Sequence, residues 1–321
     1  MPGARLLACL LIFSWTASVA GCASGAEHSQ FADDQWSPSV TTPAFGQDAG
    51  PEILVDAAHG NFHTIDGRFA AFAELLTLDG YRVRSADEPV TSELLEPAAV
   101  YVISNAVYGG QDAEWILPTP PAFAPDEIAA LVDWVREGGS LLLIADHMPF
   151  PGSTADLAAR FGIVFHNGYA VKGLHEGGSL SFTRSSGLLA DHPITRGRSE
   201  SEAIESVTSF TGQAFRSVVP VQALMSMPDD WQVLLPVEAG VFDEATPVIS
   251  ARGLMQGAVL NFGAGRVALF GEAAMFTAQS WSRDGMVGRM GMNHPDAAEN
   301  AQFVLNVMHW LSGLLDDPAE D

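Results

Sequence analysis

From residue 52 onward, short apolar runs alternate with amphipathic stretches. Glu52-Ile53-Leu54-Val55-Asp56, Tyr81 to Arg84, Ala99 to Ile103 and Ser140 to Ala145 read as strands. The third and fourth are continuously apolar, as parallel strands buried on both faces are. Between them, Phe69, Phe72, Leu75 and Leu76 recur at helical spacing, with Asp66 placed to cap the helix and Gly80 to end it. Pro125 opens a second helix with Asp126 and Glu127 in its first turn, a stripe of Ile128, Leu131, Val132 and Val135, and Gly138 at its end. Ser153 to Phe161 reads as a third helix. The alternation predicts an α/β fold with a mostly parallel, doubly wound sheet.

The rhythm breaks between residues 166 and 245, which carry many Gly, Ser and Pro and short β-like runs. This segment is expected to be a β-rich elaboration of one domain spanning 51–315. Ala258 to Phe262 and Arg266 to Phe270 flank Gly263-Ala264-Gly265, a hairpin pattern. Pro295 starts the last helix, with Phe303, Val304, Val307, Met308, Leu311 and Leu314 toward the core. Residues 316–321 form an acidic tail.

The N-terminus is of another kind. One positive charge, Arg5, precedes an apolar run from Leu6 to Trp15 and then small residues, the pattern of an export signal over 1–21. Val19-Ala20-Gly21-Cys22 resembles the bacterial lipobox, which implies cleavage before Cys22 and its lipidation. Ala23 follows, where an aspartate would be the inner-membrane retention signal. The resemblance therefore points to a lipid-anchored envelope protein, at the outer membrane if the cell has one. Residues 22–50, rich in small and polar types, are expected to form a flexible tether.

Composition narrows the chemistry. The two cysteines are Cys9 and Cys22, so the exported domain has no disulfide, thiolate ligand or cysteine nucleophile. A net charge of −24, with Lys172 the sole lysine, argues against a nucleic-acid partner and against anionic membrane surfaces. The lipid bilayer, a glycan or another envelope protein remain as partners.

Ligand-type residues gather where the strands end. Asp56 closes the first strand and is followed by His59 and His63; Asn105 and Tyr108 follow the third; Asp146-His147 closes the fourth; Glu272 closes the last; Asn293-His294 precedes the final helix. In open α/β sheets that rim holds the ligand crevice. Imidazole and carboxylate together suit a divalent cation such as zinc, and Asp56, His59, His63 and His294 are the candidate ligands. Asp146, His147 and Glu272 are the candidate catalytic groups, Asp146 or Glu272 serving as general base if not a ligand. Taken singly, a strand-end Asp is better read as a cap and a loop His as a surface hydrogen-bonding residue, but four such strand ends together are more than capping needs and point to a ligand crevice. Trp115, Trp231 and Trp281 are candidate sugar platforms. No phosphate-binding glycine motif and no Gly-x-Ser-x-Gly elbow occurs.

Ser140 to Phe165 reads strand, sharp turn, helix, then Phe161-Gly162-Ile163. This resembles the elbow region of class I glutamine amidotransferase-like domains. Pro125 to Asp146, with Trp134-Val135-Arg136-Glu137-Gly138-Gly139-Ser140, is similar to the uncharacterised DUF4350 and ThuA-like branches, and Asp191-His192-Pro193-Ile194 followed by Gly197 recurs in them. The resemblance implies a flavodoxin-like three-layer sandwich. It does not carry over glutaminase chemistry, because Asp146-His147-Met148 stands where those enzymes hold their cysteine. Two readings follow: metal-assisted hydrolysis of a glycan or envelope substrate, or non-catalytic binding through the 166–245 elaboration.

Overall fold

The computed structural model describes residues 29–173, 178–283 and 285–316, the side chain of Gln111 excepted. The export signal, Cys22 and residues 317–321 lie outside these residues.

Among the described residues, seventeen strands and seven α-helices follow one another. The strands are β1 (Ser29–Ala32), β2 (Glu52–Asp56), β3 (Arg82–Ala86), β4 (Val100–Ser104), β5 (Ser140–Ile144), β6 (Ile163–Phe165), β7 (Tyr169–Val171), β8 (Leu180–Thr183), β9 (Ser206–Ser209), β10 (Phe215–Ser217), β11 (Gln222–Ser226), β12 (Gln232–Leu234), β13 (Val248–Ser250), β14 (Met255–Phe262), β15 (Gly265–Phe270), β16 (Ala278–Arg283) and β17 (Met286–Gly291). The helices are α1 (Ala70–Leu78), α2 (Ser92–Leu95), α3 (Pro125–Arg136), α4 (Phe150–Ser153), α5 (Ala155–Arg160), α6 (Pro193–Arg196) and α7 (Asn300–Leu311).

The main sheet runs β3-β2-β4-β5-β15-β14-β10-β6, with β11 also pairing β14. Its first five strands pair in parallel. The remaining pairings are antiparallel. Alternate strand residues feed two cores, as a period of two requires. Val55, Val102, Leu142 and Phe270 face α1 and α7. Leu54, Ile103, Leu143 and Leu269 face α3 and α5. These three layers are the flavodoxin-like sandwich expected from the sequence.

Details of the elements differ from expectation. α1 begins at Ala70, and its N-cap, Phe69, makes no side-chain cap. Asp66 therefore does not cap it; residues 64–70 close instead on the Thr64 and Gly67 carbonyls. The third expected helix is present as α5, with the short α4 ahead of it, and Pro295 opens a 3-10 turn ahead of α7. Within the elaboration, β10 and β11 join the main sheet, while β13-β12-β7 and β8-β9 form small sheets of their own.

The expectation of a flexible tether over residues 22–50 is corrected for 29–50. β1 pairs antiparallel with β16, and β16 with β17, in a separate three-stranded sheet. Beyond β1, Trp36, Val40 and Phe45 pack on the main core. The Ala44 amide donates to Asp79 Oδ1 at 2.7 Å. The apolar residues in this segment are too sparse to show a period, yet Trp36, Val40 and Phe45 find long-range partners.

Candidate functional site

Four parallel strands, β2, β4, β5 and β15, deliver Asp56, Ser104-Asn105, Asp146 and Glu272 to one rim. Burial and hydrogen bonding then divide these residues into two groups.

The first group is a closed hub. Asp56 is fully buried and accepts from the Ala58 amide at 3.3 Å, Asn61 Nδ2 at 3.0 Å and the Tyr101 hydroxyl at 3.1 Å. His59 Nδ1 donates to Asp56 at 2.8 Å, and His59 Nε2 donates to Glu127 Oε1 at 2.9 Å. The imidazole stacks on Phe123 with ring centres 4.0 Å apart. Burial opposes charging this ring, but the two carboxylates outweigh it and raise the pKa. Glu127 is itself tied to the Val90 and Ala124 amides. Burial would raise its pKa, yet those amides and His59 hold it below the usual carboxylate value. With both ring nitrogens committed, His59 has no lone pair for a cation. Asp56 and His59 are thus tied into this hub rather than turned to the recess.

The second group lines an open recess. His63, Asn105, Asp146, His147 and Glu272 face it together with Arg68, Phe62, Trp115, Phe150 and Thr211. Gln30 of β1, Gln279 of β16 and Met290 of β17 close the other side. The recess has a cavity volume of about 80 Å³ and opens to solvent.

Asp146 and Glu272 stand at the ends of the paired strands β5 and β15. Asp146 accepts from the His147 amide at 2.7 Å and the Ala273 amide at 3.2 Å. Glu272 is fully buried and accepts from the Ala274 and Met275 amides at 2.7 and 2.8 Å. Its pKa stands well above the ordinary value, first through burial and then through the negative charge of Asp146. His147 Nδ1 donates to the Met148 carbonyl at 2.8 Å, so Nε2 is the basic nitrogen of the neutral ring. That ring stacks on Tyr169, centres 4.7 Å apart. His63 Nδ1 meets the Ser104 hydroxyl at 3.0 Å; burial, and secondarily Arg68, push its pKa well below 6.5. Arg68 donates to the Gln30 carbonyl at 3.1 Å, and burial lowers its pKa to about 10.

Asn105 holds a positive φ of 49°, one of two such non-glycine residues among those described. Its Oδ1 accepts from the Asp146 amide at 2.9 Å. A left-handed asparagine at a strand end in a recess is the kind of backbone exception that clusters at functional sites.

His294 does not join them. Its Nδ1 accepts from the Asp296 amide at 3.1 Å, capping the 3-10 turn, and the ring meets Phe210. Among the described residues, no three His, Cys, Asp or Glu side chains are grouped to hold a metal ion. The donors expected for zinc, Asp56, His59, His63 and His294, divide between the hub, the recess and a cap and are not brought together. Of the candidate platforms, Trp115 lines the recess, Trp231 is buried in the core and Trp281 lies across Gly288. Sequence reasoning did not single out Arg68, Gln30, Thr211, Gln279 or Met290; none lies in an apolar pattern or at the end of a parallel strand.

No protein-family model matches this chain, and no curated protein matches it. Solved structures do. The mmIFT52 N-terminal domain is 17% identical over 81% of this chain and 97% of its own, with a TM-score of 0.55. A putative ThuA-like protein from Bacteroides uniformis is 10% identical over 86% and 94%, with a TM-score of 0.45. Another from Parabacteroides merdae is 10% identical over 85% and 94%, with a TM-score of 0.43. At such identities the likeness is one of fold.

Proposed function

We propose that this chain is a lipid-anchored envelope protein whose strand-end recess binds and hydrolyses a small carbohydrate-type ligand by acid–base chemistry. The observation that carries the reading is the pairing of Asp146 with the buried, high-pKa Glu272 in one open recess. A carboxyl that burial and a neighbouring negative charge push toward its neutral form is a proton donor. Glu272 gives its proton to the leaving oxygen. His147, steadied by its Nδ1 bond to the Met148 carbonyl, takes one from water. Phe62, Trp115 and Phe150 supply an aromatic wall for a sugar face, and Asn105, Gln30 and Gln279 supply hydroxyl partners. The envelope anchor rests on the lipobox pattern at Cys22. No helix among the described residues is long and apolar enough to cross a membrane.

One observation favours the second reading, binding without turnover. Glu272 and Asp146 both accept backbone amides, as capping carboxylates do. Nitrophenyl glycosides, with calorimetric titration of the matching free sugars, separate the two. Turnover by the wild type, at least 100-fold lower in Glu272→Gln with sugar affinity kept, supports hydrolysis. Binding with no turnover supports the second reading. No binding of any sugar tested sinks both.

A further inference from the structure

The sheet β1-β16-β17 has two unlike faces. Its inner face carries Gln30, Gln279 and Met290 into the recess. The register places Ser282 and Val287 in one row and Phe31, Ser280 and Arg289 in the next, on the opposite face, while Ser29, at the end of the first row, borders the recess. Arg289 is the one charged residue among these positions, and it approaches the Asp33 carboxylate to 3.5 Å. Phe31 is 49% exposed and Val287 73%; Met286, at the hairpin end beside Arg283, is 56% exposed. Exposed apolar tips suit the headgroup boundary of a bilayer.

The covalent path points the same way. Seven residue steps separate Cys22 from Ser29, the first residue of β1. A fully extended chain of that length spans at most about 25 Å. A lipid on Cys22 therefore holds this sheet, rather than the far end of the domain, against the bilayer.

We propose that the outer face of β1-β16-β17 rests on the phospholipid surface, so that the recess behind it meets its ligand at the membrane. The proposal rests on the lipid-anchor reading of Cys22 and adds a second, non-covalent contact.

The mature chain offers a clean probe, because signal cleavage removes Cys9 and lipidation blocks the Cys22 thiol. Full-length Val287→Cys, Phe31→Cys and Asp133→Cys chains are matured in cells and purified. They are labelled with an environment-sensitive fluorophore and reconstituted in phosphatidylethanolamine vesicles with a minority of phosphatidylglycerol and a quencher-bearing lipid. Asp133, on α3, is the control. The unsubstituted chain must take up no label; if it does, the anchor reading fails. With that condition met, emission blue-shifted and quenched several-fold more at 287 and 31 than at 133 supports docking. Equal quenching at all three positions, or a dimer protecting residue 287 in the absence of lipid, overturns it.

Discussion

His59 is held between two carboxylates, and its charge decides what it contributes. A folded-state pKa raised above 6.5 means that its stabilisation is complete below 6.5 and is lost as pH rises through the folded value. Glu127 runs oppositely: depressed below 4.5, its contribution is present above 4.5 and lost as pH falls through the folded value. The hub is therefore strongest between these limits. His59→Ala should cost about 3 kcal/mol near pH 6 by chemical denaturation, because it strands buried carboxylates. The loss should shrink at alkaline pH. At the recess, the acid role of Glu272 requires its proton, so turnover should fall as pH rises through that group's elevated pKa. Asp146→Asn removes the like charge and should move this fall to lower pH in a rate profile; an unmoved limb would exclude coupling between the two carboxyls.

At the scale of elements, the rim was legible because strand ends in a parallel sheet converge whatever their separation in sequence. Asp56, Asp146 and Glu272 were all found that way. What the pattern did not show was direction. Asp56 turns into its own loop and Asp146 toward the open recess, a difference set by side-chain geometry after the strand ends. β1 was illegible for another reason: Gln30 Nε2 donates to Gln279 Oε1 across 249 residues, and no local period announces such a partner. The β14–β15 hairpin was plain from Gly263-Ala264-Gly265, and there the glycine has a reason. Gly263 has φ +64°, and a Cβ would lie 2.4 Å from the Arg136 carbonyl. Gly263→Val should cost about 2 kcal/mol by chemical denaturation, with the strain focused on the α3–β15 packing.

At the scale of the whole molecule, the recess belongs to two sheets at once. The main sheet supplies the carboxylates, and the small sheet supplies the wall that faces them. Asp33 joins the two ends of that wall: its Oδ2 accepts from Asn293 Nδ2 at 2.8 Å, and Arg289 approaches to 3.5 Å. Asp33→Ala should destabilise the N-terminal strap by about 1.5 kcal/mol. Limited proteolysis should then cut before residue 50 while the main sheet stays intact; an unchanged digestion pattern would show that β1 is held without it.

The same strap bears on how the protein is handled at the bench. Hydropathy alone recommends starting a recombinant chain at Pro51, where the first apolar strand begins. Such a chain would lose Gln30, bare the edge of β16 and leave Arg68 without the carbonyl it donates to. Its failure in a ligand screen would report a missing wall rather than a missing function, and a bulky tag fused just ahead of Ser29 would sit beside the mouth of the recess.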